Sequence, residues 1–371
     1  MGCDRASAPA GAGRGAEIGA GGTDGADRRS AGAGRGAAGG ADAGGPVRGA
    51  DAAVRACRDG VRGCIGGIGG GGRGPSAGGD RLLGCVVTEG SVVIHKGRSP
   101  HQPQVDEAAA QRAADCVVET HRALSEWLRV GMRLPEVDRF VAETHRKLGC
   151  KSCFLGYRVR GVPPFPSHAC LSVNSCLVHG TAASYAEPMR AGDVLKIDIG
   201  VTCHGWIGDA AWTYVFGEPS DEVAQLTACG KESIRRGIDV LQPGKHLIEW
   251  AKVLQGYVEG ECGFHLARGL GGHGIGRSLH APPYIHNTVP SGANASEIAD
   301  VMVVLRPGML LAVEPMIGVG TGKVLQDRNG WPIHMADGSQ CVHYEHDVLV
   351  TQDGPRVLTQ GLEEVEDIIL R

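Results

Sequence analysis

The 371-residue chain carries 37 Lys+Arg against 41 Asp+Glu, but residues 1 to 100 hold 13 and 9 of these, leaving 24 against 32 and a net charge of −8 for the rest. So acidic a remainder argues against nucleic acid as a partner of the folded part. Thirteen cysteines, an odd number scattered through apolar runs, fit reduced thiols in the cytosol better than a disulfide framework, and no run approaches the roughly 18 apolar residues of a membrane span.

Residues 1 to 100 contain 30 of the 60 glycines and no Phe, Trp or Tyr. A stretch of that composition cannot bury enough apolar surface to offset its ordering entropy, so it reads as a disordered low-complexity tail. Its Arg- and Ala-rich character is shared with transit peptides, but Asp4, Glu17, Asp24 and Asp27 oppose that reading. The patch Val92-Val93-Ile94 reads as a leader strand or linker before Pro100 and Pro103.

From Val105 the pattern changes. Ala110, Ala113, Ala114, Val117, Leu124 and Leu128 recur at helical spacing until Gly131. A second helix is expected from Pro135, with Val137, Val141 and Leu148 on one face and a stop at Gly149. A Gly/Pro-rich loop then leads to an apolar strand through Leu171 and Val173. Two more helices are expected through Val223, Leu226, Ile234 and Ile238, and through Leu247, Ala251, Leu254 and Val258. The polar stretch from Asn287 to Ala299 reads as a surface loop, and strands return beyond it. Helices first and in the middle, with antiparallel strands around them, predict an α+β domain over residues 101–371.

Between the second and third helices lies the stretch that organises the chemistry. Leu195-Lys196-Ile197-Asp198-Ile199-Gly200 and Cys203-His204-Gly205-Trp206-Ile207-Gly208-Asp209 read as two paired strands turning at Gly205 and carrying Asp198 and Asp209 inward. Ionised carboxylates in a low-dielectric interior need a cation, and the second strand offers no Lys or Arg. His273, set among three glycines, and Glu314 and Glu345, beside apolar runs, add one imidazole and two more acids. Four carboxylates and one imidazole suit two divalent metals sharing ligands, with a water between them made nucleophilic near neutral pH. Alone, the two aspartates could equally be solvated hairpin residues, and His179 a common turn residue before Gly180. Cys150 and Cys153 form a Cys-x-x-Cys without a second pair and read as ordinary thiols.

Taken together, these motifs resemble the type I methionine aminopeptidases, of the pita-bread metallopeptidase fold, over roughly residues 105 to 365. By that resemblance Asp209 and Glu345 bridge two divalent ions, Asp198 chelates one, and His273 with Glu314 completes the other. The oxygen and imidazole donors admit Co, Mn, Fe(II) or Zn. His179 and His280 match the two catalytic histidines that are not ligands, and Glu314 also shuttles a proton. Phe154, Tyr157, Phe165, Leu279, His179, His280 and Trp331 are the expected substrate-binding residues, Leu279 standing where many members carry an aromatic. The resemblance implies removal of the first methionine from nascent polypeptides with a small second residue, by a cytoplasmic monomer at the ribosome. Only 34 positions separate His280 from Glu314, too few for the helical insertion of type II enzymes. The nearest rival is a proline-directed peptidase of the same fold, whose relatives carry a globular N-terminal domain that residues 1 to 100 do not supply.

Overall fold

The computed structural model describes residues 105–371, apart from Ala293 and Asn329, and two short paired strands, Val87–Thr88 and Ser91–Val92. The tail expected over residues 1–100 otherwise lies outside the described residues. Helix α1, Glu107–Trp127, starts where the Asp106 carboxylate accepts from the Ala109 amide at 3.0 Å. Every position of its expected stripe is buried: Ala110, Ala113, Ala114, Val117 and Leu124, with Leu128 at the end. The alanines are there for closeness. A Cβ on Gly208 would sit 2.6 Å from the backbone carbonyl of Ala113, so helix and strand touch through backbone.

Helix α2, Leu134–Leu148, ends at Gly149 in the left-handed region (φ 72°) and buries Val137 and Val141. Leu148, expected on the same face, is exposed: it is the last residue of the helix, just before the left-handed turn at Gly149. Helix α3, Asp221–Asp239, and α4, Ile248–Gln255, bury all the residues their periodicity picked out, although Val258 lies in a wider π-helical turn, Gly256–Glu261. The stretch expected as a surface loop instead contains α5, Ala295–Val301, capped by Asn294. Asn287, at its start, is buried; it accepts from Trp250 Nε1 at 3.0 Å and donates to the Glu314 carbonyl at 2.8 Å.

Two sheets carry the site. The first is built on the hairpin Val194–Cys203 and Trp206–Phe216, antiparallel from Val194↔Val215 to Cys203↔Trp206, turning at His204 and Gly205 with φ of 50° and 78°. Lys151–Ser152 and Cys170–Val173 extend its first strand's free edge, and Ile368–Ile369 adds in parallel to the second. The second sheet runs Ala281–His286, Gly271–Gly274, Leu310–Val313, His346–Thr351, Gly354–Val357. Cys341–His343 and Met316–Gly318 pair in a smaller three-stranded sheet. The antiparallel α+β architecture expected from the pattern of elements is the one observed.

Candidate metal centre

Pairing partners across a sheet share a face, and faces alternate along a strand. Asp209 pairs with Gly200, two positions from Asp198, so both aspartates project from the same side of the hairpin. Gly200 is required there: a Cβ would meet Phe154 at 2.3 Å and the Cys153 thiol at 2.7 Å. Cys170, paired with Asp198 in register, is a second thiol on this face, and neither was singled out as a site residue by sequence reasoning. Burial raises both thiols well above their usual range, with the neighbouring aspartates adding to it.

His273 comes from the second sheet, paired with Ala312, while Glu314 and Glu345 stand just beyond the ends of strands Leu310–Val313 and Cys341–His343. The Glu345 amide donates to the Ala211 carbonyl at 2.9 Å, tying this acid to the hairpin. One ligand atom each from Asp209, His273 and Glu345 lies within 4.8 Å of the others, and the same holds for Glu314, His343 and Glu345. His273 Nε2 is 3.9 Å from Asp209 Oδ2 and 3.8 Å from Glu314 Oε1. Four of the five expected ligands lie in these two groups, and Asp198 projects from the same side of the hairpin as Asp209. Two further residues had no distinguishing signal of their own in the sequence: His343, and Asp347, whose Oδ2 accepts from the Asp209 amide at 2.9 Å.

The electrostatics are those of a cation site. Burial pushes Asp198 up to about 6, opposed by His343 and reinforced by Glu314; it pushes Glu314 up to about 7, opposed by His273. Asp209 and Glu345 are driven well above the carboxylate range by burial and then by the other acids. Among the described residues no Lys or Arg forms an ion pair with any of them. Asp198 Oδ1 and Asp209 Oδ1 are buried without a hydrogen-bond partner. His273 completes the fit: its Nδ1 faces the Gly274 carbonyl at 3.1 Å and must carry the hydrogen, which leaves the Nε2 lone pair facing the carboxylates. Hard oxygens plus one imidazole suit divalent cations.

Around this cluster stand the remaining expected residues. His280 lies beside His273, ring centroids 4.5 Å apart, and its Nδ1 is 2.6 Å from the Tyr157 hydroxyl; unlike its neighbour it is exposed. His179, half-buried at a positive φ of 58°, meets Trp331 edge to face at 6.2 Å. Trp331 also contacts Phe165 at 5.2 Å and Tyr157 at 6.5 Å, and Phe165 contacts Phe154 at 6.3 Å. Trp331 Nε1 donates to the Pro163 carbonyl at 2.8 Å, fixing the loop that carries two of these rings. Leu279 is buried as part of the main hydrophobic core.

Buried acids around the imidazoles of His273 and His343, an aromatic wall and this sheet arrangement define a metal-dependent hydrolase of pita-bread architecture. The model of metallopeptidase family M24 matches residues 108–352. Methionine aminopeptidase from Aquifex aeolicus is 32% identical over 255 residues, covering 67% of this chain and 94% of that protein. Methionine aminopeptidase 1 from Bacillus subtilis is 34% identical over 250 residues, with 67% and 94% covered. Among solved structures, methionine aminopeptidase from Thermotoga maritima superposes with a TM-score of 0.61 at 33% identity, covering 68% of this chain and 95% of that one. Prolidase from Pyrococcus furiosus, at 20% identity and a TM-score of 0.51, shares the fold. The chain belongs to metallopeptidase family M24.

Proposed function

We propose that this chain is a type I methionine aminopeptidase, removing the first methionine from nascent polypeptides and peptides with a small second residue. The observation that carries the reading is the gathering of Asp209, His273, Glu314 and Glu345, with Asp198 on the same hairpin face as Asp209, beside an aromatic wall, in a family whose similar relatives bear that name. The five side chains would hold two divalent ions, with Asp209 and Glu345 shared between them. When bound, such ions supply Lewis acidity that lowers the pKa of water and polarises a carbonyl.

The protein's own groups do the rest. Phe154, Tyr157, Phe165, Leu279 and Trp331 receive the methionine side chain, since a flexible thioether gains from aromatic contact and none of these residues carries a charge that could select Lys or Glu. His280, oriented by the Tyr157 hydroxyl, and His179, braced against Trp331, donate to the oxygen that gains charge in the tetrahedral transition state. Glu314, whose Oε1 faces the His273 side of the cluster, carries the proton from water to the departing amine. On this reading, the second residue of the substrate is restricted to small side chains. The same reading makes the protein a cytoplasmic monomer acting as chains leave the ribosome; the nine described cysteines are all free thiols, and no described helix is long and apolar enough to cross a membrane.

A panel of tripeptides tests this. Met-Ala-Ser should be cleaved in preference to Leu-Ala-Ser and Ala-Ala-Ser, and Met-Lys and Met-Phe peptides should resist. Apolar pockets discriminate by only about 1–3 kcal/mol per methylene-sized difference, so slow release of Leu or norleucine is compatible. Preference for Xaa-Pro over Met-Ala would overturn the reading in favour of a proline-directed peptidase.

A further inference from the structure

One buried imidazole stands against the candidate ligands without being among them. His343 ends the strand Cys341–His343 and pairs with Met316, two residues beyond Glu314. Its Nε2 lies 3.0 Å from Glu314 Oε2, while His273 Nε2 lies 3.8 Å from Glu314 Oε1, so the two carboxylate oxygens are divided between two histidines. The two rings present opposite chemistry. His273 turns a lone pair toward the acids, because its Nδ1–H is spent on a carbonyl. His343 Nε2 faces a carboxylate oxygen, which only accepts, so this nitrogen carries the hydrogen. The His343 backbone is clamped as well: Thr213 Oγ1 donates to its carbonyl at 2.7 Å, and its amide donates back at 3.1 Å. Thr213 lies on the strand that carries Asp209, so the donor is tied to the aspartate hairpin.

We infer that His343 is a positioning residue: it holds Oε2 of Glu314 and leaves Oε1 as the oxygen turned toward the metal cradle. Glu314 sits where Glu345 repels it, and a carboxylate in that position rotates away unless a donor fixes one oxygen. The inference rests on the metal-centre reading above. The competing arrangement is direct ligation, since His343, Glu314 and Glu345 offer atoms within 4.8 Å of one another.

The test compares His343→Leu, which removes the donor, with His343→Gln, whose amide nitrogen can donate from about the same place. Full-length chains are titrated with Mn(II) by calorimetry and their metal-free melting is recorded. The expected result is Mn(II) binding about 10- to 100-fold weaker in His343→Leu and within about threefold of wild type in His343→Gln, with kcat for Met-Ala-Ser following the metal occupancy and KM little changed. Equal loss in both variants would make His343 a ligand, and no loss in either would make it core filling; each outcome overturns the inference. If His343→Leu fails to fold, His343→Asn, whose shorter amide falls short of Oε2, serves as the donor-free variant. Wild-type chain that binds Mn(II) but releases no methionine would refute the proposed activity and still leave the His343 comparison decisive.

Discussion

At the scale of single residues the dominant fact is an excess of buried negative charge. Asp209 shares its surroundings with Asp198, Glu345, Asp347 and Glu314, and burial already disfavours its ionised form. Asp209→Asn puts an uncharged amide where an anion is expected to be shared between cations, so activity should be abolished and metal content should drop; two metals by elemental analysis with wild-type turnover would refute the bridging role. A second expectation concerns pH. Burial pushes Asp198 up to about 6 and Glu314 up to about 7, so through these two groups the folded state binds more protons than the unfolded chain over that range, while His121, His145, His179, His343 and His346, whose pKa values desolvation lowers, act in the opposite direction. The stability that these two acids contribute to the metal-free protein is lost as pH rises from about 4.5 to 7, and added Mn(II) should therefore stabilise most at the upper end, where cations replace the lost protons. Melting temperatures with and without chelator across that range decide it; a gain in Tm on adding Mn(II) that does not grow with pH would contradict the assigned environments.

At the scale of elements, the aspartate hairpin is held between two things that cannot move apart. Helix α1 lies on one face through Gly208 and its small residues, and the Glu345 amide bonds the same strand at Ala211. Gly208→Ala forces a Cβ to within 2.6 Å of helix backbone, not of a flexible side chain, so the helix itself must shift. Overpacking of that kind costs about 1–3 kcal/mol. Urea titration should report it, accompanied by weaker metal binding because Asp209 is the next residue; unchanged stability would show that the helix yields freely. The aromatic wall is the other element with a specific consequence. Replacing Leu279 by Phe adds a ring beside His280, and should change the Met/Leu cleavage ratio more than it changes Mn(II) affinity.

At the scale of the whole molecule, every candidate ligand and catalytic group lies beyond Gly161, within the M24 match. A chain beginning at Pro100 should keep the turnover of Met-Ala-Ser; a large loss with the fold intact would show that the first hundred residues complete the site.

Much of this was legible in the one-dimensional pattern, for a definite reason. Helices α1 to α4 announce themselves because burying one face of a helix imposes a 3.6-residue period, and Ala110, Val117, Leu226 and Leu254 obey it. Asp198 and Asp209 stand out because carboxylates are rare inside apolar strands, and a hairpin register places both on one face without further information. Leu148 and the stretch from Asn287 to Ala299 misled for the complementary reason: exposure depends on where a neighbouring element ends, which local composition does not encode. Asn287 is polar and buried because Trp250 and the Glu314 backbone need its amide. His343 and Asp347 could not be picked out at all. Each is an ordinary polar residue in an apolar run, and its role arises only from a partner 29 or 138 positions away, Glu314 in one case and the Asp209 amide in the other. Local periodicity decided which residues face inward; tertiary packing alone decided which of the inward polar groups meet, because a hydrogen bond depends on distances of a few tenths of an ångström between strands distant in sequence.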